Sequence, residues 1–476
     1  MGATGSGGRH LGHSEYFSKL ERHGCEGIVD RAGHFAAGVG VHHLADCGAA
    51  DIKVSALTRR RFGAVLAGTL TAPGLAWGRK AQAGRNTVLY SGVGPELTRY
   101  EVNAAAATLV KRDSVALNSN IQYAWPHPSR RFLYVSSSNG GPAQAGGNHY
   151  VAAFRMAPSS GALELHGKPV QLRSRPIHNS VDRLGEYLLI AYNEPSAVSV
   201  HRLAPDGTIG EDVPQTHGLD FGVYGHQVRA TPANRSVILT TRGNDPTATR
   251  PEDPGALKVY GFKNGLLANQ ESVQPGNGIG FGPRHLDFHP TRPWVYVSVE
   301  RQNQLHVYEL QKDGGLSAAP LFVKDTLTKP DKHVSTAGPI QVHPQGRFVY
   351  VANRGGWSSS PDPASELYQG RPVYDSTNSS IAVFAINPQS GEPNLIQVAD
   401  SHGAHPRTFT LDPEARILVS ASLVPIALRG TDRVTVLPAG LSVFRVCGDG
   451  LLDYVRRYDV ETGNKTQWWS GLVTPA

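Results

Sequence analysis

Cysteine is scarce in this chain. Of 476 residues only Cys25, Cys47 and Cys447 are cysteines, which excludes a disulfide framework, and neither a CxxC nor an HExxH spacing occurs. Long apolar runs are missing too. The most membrane-like stretch, Phe62 to Trp77, covers 16 residues, about 24 Å as a helix, whereas a bilayer core needs about 30 Å; no membrane span is expected. Uninterrupted helix-forming sequence is equally rare. With 53 Gly and 33 Pro, about one residue in six favours turns, against a background nearer one in eight, and a helical bundle is excluded. An excess of charge of one sign is only superficial. The net charge is +7, but residues 1–83 hold 10 Lys+Arg and 6 Asp+Glu, leaving 36 against 33, or +3, downstream. No basic stripe with interleaved aromatics follows, so nucleic acid is not an expected partner. The 39% hydrophobic content, with 17 Tyr, 14 Phe and 6 Trp, is enough for a large buried core.

Near the start, Thr58-Arg59-Arg60-Arg61-Phe62 precedes the Gly/Ala-rich stretch Gly63 to Trp77, then Arg79, Lys80 and Ala81-Gln82-Ala83. Positive charge before a short apolar segment and small residues at its end resemble a twin-arginine export signal. The expected organisation is a disordered extension over 1–57, a signal peptide over 58–83 cleaved after Ala83, and a mature protein over 84–476 in the periplasm or outside the cell.

The mature part repeats itself. Seven apolar runs follow Pro or Gly turns: Val88-Leu89-Tyr90, Phe132 to Val135, Tyr187 to Ile190, Val237 to Leu239, Trp294 to Val297, Phe348 to Val351 and Ile417 to Val419. An alternating strand follows each, from Leu97, Tyr150, Ala197, Leu257, Leu305, Ile381 and Leu441, and a more polar strand often comes after a Gly turn. Division gives about 56 residues per unit, enough for a four-stranded blade. Six units also carry a strand before the apolar run, starting at Ile121, Ile177, His226, Arg284, Pro339 and Arg407. The first lacks one, and the tail Gln467 to Val473 is available to supply it, which would close the ring and remove two sheet edges. The expected fold is all-β: a seven-bladed β-propeller whose C-terminal strand completes the first blade.

The motif Gly280-Phe281-Gly282-Pro283-Arg284-His285, with Phe288-His289-Pro290 and Val295 to Glu300, resembles the seven-bladed lactonase family, which includes bacterial 6-phosphogluconolactonases and fungal carboxymuconate cyclases. The similarity runs over nearly all of 86–474. It implies no cofactor, and no tight acidic cluster suggests a metal.

Reflecting each hairpin about its turn places Arg284 opposite Glu300, Gly338 opposite Arg354 and His226 opposite Arg242. In a propeller the innermost strands border a central channel, so these side chains converge on one mouth. The family resemblance adds that cyclase members use a His, a Glu and two Arg at matching positions, making His226, Arg284, Glu300 and Arg354 the candidate catalytic residues. Opening a lactone needs a base to activate water, cationic donors for the oxyanion and an acid for the leaving alkoxide; His and Glu suit the proton transfers and the arginines the charge. Arg242, His285 and the strand-start residues His178, His405 and Arg407 are candidate substrate-binding residues. Three insertions, roughly 246–255, 355–380 and 426–440, are expected to overhang the mouth, with Trp357, Tyr368 and Tyr374 offered to a sugar ring.

A monomeric exported lactonase acting on a sugar lactone or related cyclic ester is the expected function. A non-catalytic envelope propeller binding carbohydrate or protein, and a muconate-type cyclase, are the alternatives. Export argues against 6-phosphogluconolactone as substrate, because that compound is made and used in the cytoplasm.

Overall fold

The computed structural model describes residues 86–476 except 143, 329–334 and 357–364. The expected extension, signal peptide and cleavage point, and Trp357, lie outside the described residues.

Seven four-stranded antiparallel blades form from successive stretches of chain. The second strand of six blades, such as Phe132–Ser138, Trp294–Val299 and Phe348–Arg354, is buried along its whole length, and that of the first blade along all but its last residue. Neighbouring blades cover both of its faces, which is why it reads as a continuous apolar run rather than an alternating one. Inner strands touch in a closed circuit through Asn120–Pro126, Pro176–Val181, Gly225–Ala230, Pro283–Phe288, Thr336–Val342, Pro406–Leu411 and Gln467–Val473. The last of these pairs antiparallel with Val88–Val93, Leu89 facing Leu472 and Tyr90 facing Gly471, so the C-terminal strand closes the first blade as expected.

A recurring contact locks three of the blades to the next. Tyr134, Tyr296 and Tyr350 donate their hydroxyls to the carbonyls of Gly207, Gly391 and Gly450 at 2.9, 2.9 and 3.0 Å, each glycine lying in the outer hairpin of the following blade. Gly391 has φ +80°, and a Cβ there would lie 2.4 Å from the Trp294 ring, so the close approach requires glycine. The Phe288-His289-Pro290 motif is also structural: His289 shares a 3.1 Å hydrogen bond with the Gly346 carbonyl and meets Trp294 edge-on.

Two expectations need correcting. None of the seven inner strands mirrors its partner, because a β-bulge interrupts the register near the entrance. Pro283 faces Val299 and His285 faces Ser298, leaving Arg284 in the bulge, while the Glu300 amide donates to the Gly282 carbonyl at 2.8 Å. Likewise Arg354 faces Thr336, not Gly338, and the Arg242 amide bonds to the Tyr224 carbonyl, with His226 bulged between. The insertions at 355–380 and 426–440, expected to be loops, build an eighth small sheet from Leu367–Tyr368, Arg371–Tyr374, Ile426–Arg429 and Val434–Leu437, joined by a parallel pairing of Val373 with Ala427. Among the described residues no helix is long and apolar enough to cross a membrane.

Candidate active site

The bulges create the site. A bulge gives one strand an extra residue and re-aims its side chain. The extra residues Ile177, His226, Arg284 and Arg407, with Trp468 on the closing strand, come from five blades yet line one cavity of about 430 Å³ at a channel mouth. Arg242, Glu300 and Arg354, at the ends of second strands, complete the wall with Arg175, Tyr224 and His405.

Glu300 is the hub. Its Oε1 accepts from Arg354 Nη2 at 2.6 Å and its Oε2 from Arg242 Nε at 3.0 Å, with Arg284 Nε 3.8 Å from Oε2. Arg354 also donates to Thr336 Oγ1 at 3.1 Å and to the Ala337 carbonyl at 3.3 Å. Arg242 is braced from outside by Asp245 at 2.8 Å, whose other oxygen takes Arg301 Nε at 2.9 Å; Arg301 in turn pairs with Glu252. Asn244, Asp245 and Arg250 of this strap line the cavity, so the insertion near 246–255 does reach the mouth.

Burial and charge set the protonation states. Burial works to raise the Glu300 carboxyl, but Arg354, Arg242 and Arg284 outweigh it and hold the group well below the usual carboxylate range, fully ionised. Burial, then Arg284, Arg407 and Arg354, push His226 well below the ordinary histidine value, so its imidazole is neutral near pH 7. Burial, reinforced by Arg354 and Arg407, destabilises the Arg284 cation. Arg284 Nη1 and Arg354 Nε are buried and donate to no acceptor among the described residues. Both N–H groups therefore hold unspent hydrogen-bonding capacity in the wall of the cavity.

All four candidate catalytic residues, with Arg242, His405 and Arg407, meet at this cavity. His178 and His285 do not line it. They follow the bulged residues Ile177 and Arg284 and sit deeper, where His178 packs 4.2 Å from the Tyr123 ring and His285 lies 6.0 Å from His178 and 5.0 Å from His226. His285 borders a separate hollow of about 240 Å³. Tyr374 borders another hollow beside Ile426 and Lys465 that shares no lining residue with the cavity, and Tyr368 does not line the cavity either. Sequence reasoning missed Arg175, Tyr224 and Trp468 as lining residues. Arg175-Pro176, Gly282-Pro283 and His405-Pro406 stand at matching strand starts, which is the signal that would have found Arg175. Among the described residues no group of three or more His, Cys, Asp or Glu side chains is placed to hold a metal ion.

Comparison with known proteins agrees with this architecture. The family model described as lactonase, 7-bladed beta-propeller, matches residues 83–423. A 6-phosphogluconolactonase of Bacillus subtilis is 28% identical over 362 residues, spanning 73% of this chain and 92% of the relative. One of Klebsiella pneumoniae is 27% identical over 296 residues, spanning 62% and 75%. Among solved structures, a periplasmic gluconolactonase of Pseudomonas aeruginosa superposes with a TM-score of 0.61 at 21% identity, covering 82% of this chain and 99% of its own, which shows the shared fold. The chain belongs to the seven-bladed β-propeller lactonase family.

Proposed function

We propose that the protein is an exported lactone hydrolase acting on a sugar lactone or related cyclic ester at the Glu300 cavity. One observation carries this reading: a neutral imidazole, an ionised carboxylate clamped by arginines, and the guanidinium groups of Arg284 and Arg354 share one concave site. The lactone carbonyl oxygen accepts from the guanidinium groups of Arg284 and Arg354, which line the cavity. His226 takes a proton from water as that water attacks the carbonyl carbon. The ring C–O bond then breaks, and the imidazolium returns its proton to the leaving alkoxide, giving the open hydroxy acid. Glu300, bound so firmly by arginines, is a poor base; its part is to fix Arg354, Arg242 and Arg284 and to supply the negative charge that lets them crowd together. Removing one donor aimed at an oxyanion typically costs about 10²- to 10³-fold and removing a positioned base about 10²- to 10⁴-fold.

The Arg59-Arg60-Arg61 segment and the apolar stretch after it support export. The test is a panel of gluconolactone, aldonolactones and muconolactones assayed under conditions where spontaneous hydrolysis is slow. Turnover of at least one, reduced by more than about tenfold in His226→Ala, supports the reading; a parent inactive on all of them, yet retaining a sugar ligand, would establish a binding propeller instead.

A further inference from the structure

The hollow bordered by His285 continues the channel past the Glu300 cavity. The strands Gly225–Ala230, Pro283–Phe288, Pro406–Leu411 and Gln467–Val473 give His226, Arg284, Arg407 and Trp468 to the cavity, and residues further along the same strands, such as Gln227 and Arg229 or His285 and Asp287, border the hollow. Alternate residues of a strand share a face, so these pairs look the same way. No residue lines both spaces. The hollow's volume of about 240 Å³ exceeds the roughly 150 Å³ that accommodates a six-membered ring. Gly471 helps to keep it open: a Cβ there would lie 2.6 Å from the Trp469 ring, and glycine lets the indole lie back along its strand.

The chemistry of the hollow is the reverse of the cavity's. Its one cation among the lining residues, Arg229, stands 3.4 Å from Asp287 and carries its guanidinium carbon 4.6 Å from the centre of the Trp125 ring, so the charges balance. Side-chain acceptors are spent. Gln227 Oε1 takes the Leu286 amide at 2.7 Å, Gln341 Oε1 the Leu411 amide at 2.9 Å and Thr410 Oγ1 the Leu472 amide at 3.0 Å. Asp287 gives its two oxygens to the Phe288 and Val342 amides at 3.0 and 2.9 Å. Donors are not spent: among the described residues the Gln227 and Gln341 Nε2 groups and the Tyr123 hydroxyl have no acceptor. Fixing each glutamine oxygen on a backbone amide also fixes which end of the side chain is the donor.

We infer that this hollow is a second ligand site, separate from the Glu300 cavity, for a small uncharged polyhydroxylated ring such as a free monosaccharide or a cyclitol. Hydroxyl oxygens of the ring supply the acceptors that the Gln227, Gln341 and Tyr123 donors lack. The Tyr123 and Trp469 rings, 6.3 Å apart, offer apolar surface to its C–H faces, and a largely apolar wall with a few placed polar groups is where small ligands bind. An anion is disfavoured, because the hollow has no cation to spare for it. The inference stands whether or not the mouth hydrolyses a lactone.

The test is calorimetric titration of the full chain with D-glucose and with myo-inositol, beside D-gluconate as a charged counterpart. At least one neutral ring should bind at a single site with a millimolar or lower Kd. Tyr123→Phe removes a hydroxyl and keeps the ring, and Gln341→Glu keeps the oxygen that holds the Leu411 amide while removing the NH₂ donor. Each should weaken the neutral ring by about 3- to 10-fold, as expected for one lost neutral hydrogen bond, and Tyr123→Phe should leave any affinity for D-gluconate unchanged. Glu300→Gln, a change at the mouth, should not move the affinity for the neutral ring. A parent that binds neither neutral ring would overturn the inference and leave the hollow to water. So would an affinity that neither Tyr123→Phe nor Gln341→Glu moves; its loss in Glu300→Gln would then put the ring at the mouth. Tyr123→Phe deletes one oxygen without a partner and should melt within a few degrees of the parent, so it decides the matter even if Gln341→Glu fails to fold.

Discussion

Replacing Glu300 by Gln keeps the shape of the side chain and removes one negative charge. Three guanidinium groups, from Arg242, Arg354 and Arg284, would then face one another around a neutral amide. The Glu300 side chain is only 12% exposed, so solvent cannot make up the loss. Removing one partner of a buried ion pair costs about 3 to 5 kcal/mol. The amide oxygen can still accept one of the two short bonds, which puts the expectation at the lower end, about 3 kcal/mol. For a propeller of about 390 residues, an unfolding entropy of about 0.8 kcal/mol per kelvin converts this to a fall of about 4 °C in melting temperature. The variant should remain folded at 25 °C while losing about 10²-fold or more in kcat/KM, because Arg284 and Arg354 lose the anchor that aims them. Calorimetry and lactone turnover on the same preparation read both effects. Adding Arg242→Gln should recover part of the lost stability, since it removes one of the uncompensated cations. A melting temperature within 1 °C of the parent, or a double variant whose losses simply add, would refute the reasoning.

Two further outcomes follow from the same structure. Deleting Gln467–Ala476 removes the inner strand of the first blade together with Trp468, leaving the Val88–Val93 edge unpaired, each orphaned backbone group costing about 1 to 3 kcal/mol; the truncated chain should give no cooperative melt above 25 °C, and a transition within a few degrees of the parent's would exclude this closure. Acid should destabilise the fold early. Burial, with neighbouring arginines, holds His178, His226, His285 and His405 well below the ordinary histidine value in the native state. The unfolded chain therefore binds more protons, so stability is fully present above about pH 6.5 and is lost as the pH falls below it, by about 1.4 kcal/mol per pH unit for each histidine. Glu300 adds a loss of the same sign below about pH 4.3, the unfolded carboxylate value. Chemical denaturation at pH 7.5 and 5.5 checks this, and equal midpoints would count against the buried neutral histidines.

The sequence made the architecture readable because each second strand is buried on both faces, so seven apolar runs mark seven blades, and because the first unit lacked an inner strand that the Trp468-Trp469 tail could replace. The register was not readable. A bulge adds one residue without disturbing the apolar pattern, so reflection about the turn put Arg284 opposite Glu300 when the Glu300 amide bonds to Gly282. The two side chains still came out within reach of each other, because the bulge turns Arg284 toward the axis. His178 and His285 were misplaced for the same reason: each follows a bulged residue and sits a layer below the mouth. The eighth sheet was invisible because Arg371–Tyr374 and Ile426–Arg429 are short and set among Gly, Pro and polar residues, and their pairing joins segments from different blades.

The proposed lactone opening at the Glu300 cavity turns on Arg284 as an oxyanion donor. The most direct measurement is kcat/KM of Arg284→Gln beside the parent, on whichever lactone the parent hydrolyses best, with both proteins shown to melt at comparable temperatures. The expected loss is about 10²- to 10³-fold, expressed mainly in kcat, because the donor is realised at the developing oxyanion. A folded Arg284→Gln protein that turns the lactone over at the parental rate would contradict it.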